Sequence, residues 1–341
     1  IVVVGLGMSE SILYFLPKNK NIVGDVIFVQ SAVFMAFAVG FLLMSPMVQT
    51  VYGLSAESLV VVTVGVFLGM MFRTMYYVLN AKSMFKRMMW SSIILKLSRV
   101  SITVPLLLLL GGYFSAILGE LVGWVLPMFV LLYWLQGVKL KRTRMVKSVL
   151  KYSSLIYITN LSVLLVINFA SLYVGTFNIE WVAFIGMAAQ SGPILILPGL
   201  SVAAVFMPEF SKGRTELLRL ASRWTLISTV LMWTVVVPNL GFLIDFVFTE
   251  RYSGATLTVA LYMLAFGVMG LNIVISNLFL GTNKVKFNAA SGVIQLIAAI
   301  VAVVLLIPIG PHGAGVGIII SQITGLIFYL AVLKKKRFKF A

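Results

Sequence analysis

The sequence contains no cysteine and a single histidine, His312. Disulfide frameworks, thiolate metal sites and cysteine nucleophiles are therefore excluded, and one histidine makes neither a catalytic triad nor a metal site by itself. Charge is scarce as well. Asp, Glu, Lys and Arg together make up 10% of the 341 residues, against about 25% in soluble domains. Acid is the scarcer sign, with 9 Asp and Glu against 26 Lys and Arg, so the formal net charge is +17. Apolar residues fill the rest: 61% of positions are hydrophobic and the mean hydropathy is +1.10. A soluble chain of this composition would lack the polar surface to cover its core.

A helix needs about 20 apolar residues to cross about 30 Å of hydrocarbon, and its backbone groups must be satisfied within the helix. Eleven segments qualify: 1–16, 24–48, 57–80, 88–111, 112–136, 152–177, 181–207, 222–248, 254–281, 286–308 and 312–333. The expected fold class is all-α, a polytopic transmembrane helix bundle. Basic residues mark the cytoplasmic side of such a bundle. Alternate connections carry Lys18 and Lys20; Lys82, Lys86 and Arg87; Lys139 to Lys151; Lys212 to Arg223; and Lys284 and Lys286; the tail carries Lys334 to Lys339. These hold 22 of the 26 basic residues, while the intervening loops carry only Arg251 against Glu57, Glu180 and Glu250. The alternation places the C-terminus in the cytoplasm and the protein in the cell membrane. It also assigns the positive charge to topology and to attraction for anionic membrane lipids rather than to nucleic acid. The chain starts at Ile1, already inside an apolar run, which leads to the expectation that a first helix precedes it.

Lys82, Phe85, Gly111 and Gly123 recur as Lys284, Phe287, Gly313 and Gly325, an offset of 202. Matching spans run the same way through the membrane, so the repeat is parallel. The expected organisation is a truncated N-terminal lobe at 1–136, a basic cytoplasmic linker at 137–151 and a C-terminal lobe at 152–341. Restoring a first helix makes two six-helix lobes related by a pseudo-twofold axis. Lobes of this kind suggest a transporter that rocks between inward-open and outward-open states.

Charges within spans are costly and usually functional. Five stand out, all in the N-terminal half: Glu10, Arg73, Lys96, Arg99 and Glu120. Lys96 and Arg99 are three apart and share a helix face. Arginine binds phosphate oxygens with two parallel hydrogen bonds. On one reading Arg73, Lys96 and Arg99 line a cavity and attract an anionic headgroup, with Glu10 and Glu120 available for H+ or Na+. On the other these residues form structural ion pairs, for example Glu10 with Arg73. Polar residues of the second half (Asn160, Asn168, Gln190, Asn272, Asn277, Gln295 and Gln322) either contact sugar hydroxyls or bridge helices. The glycines of Gly313–Ala314–Gly315–Val316–Gly317 read as helix packing, since no βαβ unit is present to make a nucleotide loop. Outer loops of about ten residues without an acid or histidine constellation argue against a membrane enzyme, and nothing calls for a cofactor.

Several short stretches carry a family resemblance. They are Gly5–Leu6–Gly7–Met8–Ser9 with Phe15–Leu16–Pro17, Pro208–Glu209–Phe210–Ser211–Lys212, Phe248 to Ala255 with Tyr252, Gly281–Thr282–Asn283–Lys284, and Ile307–Pro308–Ile309–Gly310 with Gly313–Ala314–Gly315. In these the sequence resembles the polysaccharide flippases, Wzx-type O-antigen and related transporters, of the multidrug/oligosaccharidyl-lipid/polysaccharide exporter superfamily. The resemblance implies a two-lobe fold that carries a polyprenyl-(di)phosphate-linked oligosaccharide from the cytoplasmic to the outer leaflet by alternating access. Polymerases or glycosyltransferases of the same pathway would be its neighbours. A cation-coupled multidrug exporter of the same superfamily is the alternative; the absence of any acid from 152–177 weighs against a coupling site there.

Overall fold

The protein, described by a computed structural model, is helical through most of its apolar runs among the described residues. The description covers residues 5, 7–18, 22–52, 55–136, 145–175, 178–248 and 250–335. Among these there is no strand, and ten helical stretches are long and apolar enough to cross a membrane. The helices are α1 (Met8–Phe15), α2 (Val23–Leu43), α3 (Ser45–Tyr52), α4 (Ala56–Ala81), α5 (Phe85–Leu110), α6 (Gly112–Trp134) and α7 (Val146–Val174). They continue with α8 (Ile179–Ser191), α9 (Leu197–Ser211), α10 (Leu218–Val236), α11 (Leu240–Phe248), α12 (Thr256–Gly281), α13 (Val285–Leu306) and α14 (His312–Lys335). The all-helical reading thus holds. Of the eleven expected spans, the first is represented by the short α1; most of residues 1–6 lie outside the described residues, as do Lys20, 137–144 of the basic linker, and the tail from Lys336.

Two spans are interrupted at prolines. The expected span 181–207 is interrupted between α8 and α9 by a 3-10 stretch, Gly192–Ile196, with Pro193 inside it and Pro198 just after. Each proline lacks the N–H that an α-helix needs and crowds the preceding turn. Val237–Asn239, around Pro238, separates α10 from α11 in the same way. Pro105 and Pro127 are accommodated inside α5 and α6.

The chain divides into two compact units, Ile1–Tyr157 and Ile158–Ala341, with the division inside α7. In the first, Met70 and Met71 of α4 pack with Ile27, Phe34, Val66, Phe67 and Met128. In the second, α12 is the central helix; Val259, Tyr262, Phe266, Ile275, Leu278 and Phe279 are buried along its length. Large apolar side chains also point outward, among them Leu43, Leu108, Leu109, Phe129 and Phe246. In water such a surface would drive association; against lipid tails it carries no penalty.

The two units repeat a helical hairpin. α4 and α12 are both 26 residues long and end at Ala81 and Gly281. Each turn then places a residue in the left-handed region, Ser83 at φ 57° and Asn283 at φ 60°. The next helices start at Phe85 and Val285, and the ones after at Gly112 and His312. The structural offset is therefore 200, two residues short of the 202 read from residue identities. Lys82 stands opposite Thr282, not Lys284. The left-handed turn residue fixes the register: Lys82 precedes Ser83, whereas Lys284 follows Asn283.

Candidate functional site

All five span charges lie in the first unit, and the structure sorts them into two ion pairs and one cation outside them. Arg73 sits on α4, eight residues or about 12 Å from its C-terminal end. Its Nη2 donates to Oε1 of Glu10 on α1. The Glu10 side chain is 9% exposed and that of Arg73 30%. The Arg73 guanidinium also lies 5.7 Å from the ring centre of Tyr77, one turn further along α4. A buried pair is stable only when its hydrogen-bonding capacity is used, and here the arginine has both a carboxylate and an aromatic neighbour.

Beside that pair is a closed ring of uncharged groups. Gln30 of α2 donates through Nε2 to Ser9 Oγ at 2.9 Å, Thr74 donates to Gln30 Oε1 at 2.7 Å, and the Ser9 and Thr74 hydroxyls are 3.0 Å apart. All three side chains are buried. Ser9 precedes Glu10 and Thr74 follows Arg73, so the ring fixes α1 and α4 at the residues next to the ion pair and ties both to α2.

The second pair is deeper. Arg99 is about 21 Å along α5 from Phe85 and about 16 Å from Leu110, which is mid-span. It meets Glu120 of α6 with both arms of its fork: Nε donates to Oε2 at 2.7 Å, and Nη2 pairs with Oε1. The approach depends on two glycines one helical turn apart. A Cβ on Gly119 would lie 2.6 Å from the Thr103 Cα, and one on Gly123 would lie 2.7 Å from Arg99 Cγ. Small residues spaced by four let membrane helices touch backbone to backbone. Ser98 uses the proximity to donate to the Gly123 carbonyl at 2.7 Å. The Arg99 guanidinium is 5.5 Å from the Trp124 ring centre, within cation–π range. Glu120 and Trp124 also line a cavity of 420 Å³ whose other walls are Val61, Val66, Ile117 and their apolar neighbours on α4 and α6.

Lys96 lies one turn before Arg99, exposed, and among the described residues it makes no ion pair. Of the three cations singled out in sequence, two are thus held by the two acids singled out with them. The helix-bridging reading describes much of the second unit. Asn272 donates to both the carbonyl and Oε1 of Gln322, at 2.9 and 3.0 Å, and Ser321 donates to the Gln295 carbonyl at 2.7 Å. Asn168 and Asn277 each donate to a carbonyl of their own helix. Asp25, which is fully buried in the first turn of α2, is absent from the sequence-based set. It lies at the polar end of its span, where a carboxylate reads as an ordinary helix-start residue.

The structural offset exposes the asymmetry of the two units. Positions 73, 96, 99 and 120 correspond to Ile273, Leu296, Ala299 and Ile320, all apolar. The same hairpin is built twice and carries charge once. Among the described residues no group of three or more His, Cys, Asp and Glu could hold a metal ion.

Solved transporter structures are similar to this fold. A variant of the Vibrio cholerae MATE transporter VcmN matches with a TM-score of 0.81 at 15% sequence identity, over 98% of this chain and 85% of that one. An outward-facing multidrug resistance MATE family transporter of the MOP superfamily gives 0.76 at 15% identity, over 98% and 84%. The lipid II flippase MurJ, in its inward closed conformation, gives 0.70 at 18% identity, over 97% and 77%. At these identities the likeness establishes the fold. No family model matches the sequence, and neither does any curated protein sequence.

Proposed function

We propose that this protein is a membrane transporter that carries a polyprenyl-(di)phosphate-linked oligosaccharide from the cytoplasmic to the outer leaflet by alternating access, with its C-terminus in the cytoplasm. The observation that carries the reading is Lys96. It is an exposed cation at mid-span with no ion pair among the described residues, one turn from a second cation whose fork suits a two-oxygen anion. A bilayer does not tolerate such a group facing lipid. An anionic headgroup passing through the membrane supplies what it lacks. The fold shared with both MATE transporters and the lipid II flippase MurJ is consistent with this, and the motifs of the polysaccharide flippases point to a glycan as the cargo.

The experiment is reconstitution into proteoliposomes with a fluorescent polyprenyl-diphosphate glycan, following its protection from a membrane-impermeant quencher. Lys96→Ala and Arg99→Ala are each expected to slow flipping at least tenfold with normal insertion. Wild-type rates for both would overturn the reading.

A second reading, a cation-coupled exporter of small molecules, draws on one further observation. Asp25 is a fully buried carboxylate in the same unit, and a buried acid is what proton or sodium coupling requires. Substrate efflux driven by a proton or sodium gradient, lost in Asp25→Asn and indifferent to Lys96→Ala, would favour it.

A further inference from the structure

The Arg99–Glu120 pair is unusual in being both well formed and accessible. Its geometry is that of a guanidinium gripping two oxygens of one anion, which is equally the way arginine holds a phosphate. Yet the side chains are 30% and 42% exposed, so the protein itself does not seal the pair off. Lys96 stands one turn away on the same helix, with no acid of its own among the described residues. Trp124 flanks the guanidinium, and the aliphatic cavity opens beside Glu120.

We infer that Glu120 is an internal stand-in for the phosphate: it occupies the Arg99 fork when no substrate is bound, and a phosphate monoester or diphosphate competes with it for that fork, drawing on Lys96 for the second positive charge. The inference rests on the proposed substrate class and adds to it a resident competitor. It explains why a site meant for anions contains a carboxylate at all. An empty Arg99 fork at mid-bilayer would be an uncompensated charge; Glu120 neutralises it between substrates. It also sets an upper limit on affinity, because each binding event must break the existing pair. A headgroup held too tightly would not leave on the other side.

The arrangement predicts that removing the competitor tightens binding. Dodecyl phosphate, inorganic phosphate and dodecyltrimethylammonium are titrated into the detergent-purified full chain, with affinity read by calorimetry. Glu120→Gln, which keeps the shape and loses the charge, is expected to bind dodecyl phosphate about tenfold more tightly than the wild type. Arg99→Gln combined with Glu120→Gln is expected to lose that gain, and the quaternary ammonium is expected to gain nothing. A gain for both phosphates assigns the site to phosphate alone; a gain for dodecyl phosphate only assigns it to a lipid headgroup whose chain uses the cavity. If Glu120→Gln does not fold, Glu120→Asp serves in its place. It retracts the carboxylate by one methylene, and a smaller gain of the same sign is expected. Unchanged or weaker phosphate binding in folded Glu120→Gln or Glu120→Asp would overturn the inference and make the pair a purely structural one. Failure of the substrate reading looks different: tighter phosphate binding in Glu120→Gln without any glycan-lipid flipping by the wild type supports the stand-in and rejects the cargo.

Discussion

At the scale of single residues, the two ion pairs differ in what their loss should do. Glu10 is nearly enclosed, and its neighbours Ser9 and Thr74 are committed to the ring with Gln30. Removing Arg73 leaves a buried carboxylate without its cation, which costs roughly 3 kcal/mol, the lower end of the range for such pairs because the arginine is partly exposed. Arg73→Ala is therefore expected to lower the thermal stability of the purified protein, and adding Glu10→Gln should restore much of it. A double-mutant cycle read by thermal unfolding in detergent checks this; independent, additive losses would show that the pair does not couple. The five charges were legible from sequence because a charge in an apolar run is conspicuous. Glu10 with Arg73 is a pairing that the sequence itself offers. The ring beside them was not legible. Serine, threonine and glutamine in a span are ordinary, and only the packing of three helices brings Ser9, Gln30 and Thr74 within reach of one another.

At the scale of elements, partner choice depends on register. Arg99 meets Glu120 because Gly119 and Gly123 let α5 and α6 close to backbone contact. Both glycines and the acid between them stand in the sequence as Gly119–Glu120–Leu121–Val122–Gly123, but which residue of α5 they would face does not. Gly123→Ala puts a methyl 2.7 Å from Arg99 Cγ and 2.8 Å from its Cα. Since backbone cannot yield as a side chain can, the helices must separate, at a cost of about 1–3 kcal/mol. Gly123→Leu should cost more and should also abolish the proposed phosphate binding, as the fork and Lys96 lose their common setting; stability and dodecyl phosphate titration together measure both. The same dependence on geometry explains the shift of the repeat from 202 to 200. Residue identities align lysines, whereas the helices align on the left-handed Ser83 and Asn283.

At the scale of the whole molecule, hydropathy made ten of the eleven expected spans legible, because lipid leaves a chain few ways to satisfy its backbone, although some ends differ, as Thr215 against 222 and Val146 against 152. The interruptions at Pro193 and Pro238 were legible only as permissions, since Pro105 and Pro127 sit in unbroken helices. The sidedness assigned by the basic loops is directly testable in a chain with no native cysteine. Single cysteines introduced as Ser83→Cys and Asn283→Cys should react with an impermeant maleimide from the same side of sealed vesicles, the cytoplasmic one. Pro311→Cys should react only from the other. Labelling of 83 and 283 from opposite faces would contradict a parallel repeat.

The sorting of the span charges has an electrical consequence. Each ion pair is neutral as a unit, so a stroke that carried these five charges together would move only the Lys96 charge through the transmembrane field. Carried fully across 100 mV, one elementary charge is worth about 2.3 kcal/mol. In the proposed transporter, the membrane potential would pull on that one positive charge among the five during an empty stroke. The proposed diphosphate cargo, with two or more negative charges, would reverse the sign of what moves. Loaded and empty strokes of the proposed transporter would then be driven in opposite directions by the same voltage, with an inside-negative potential favouring outward passage of the loaded form.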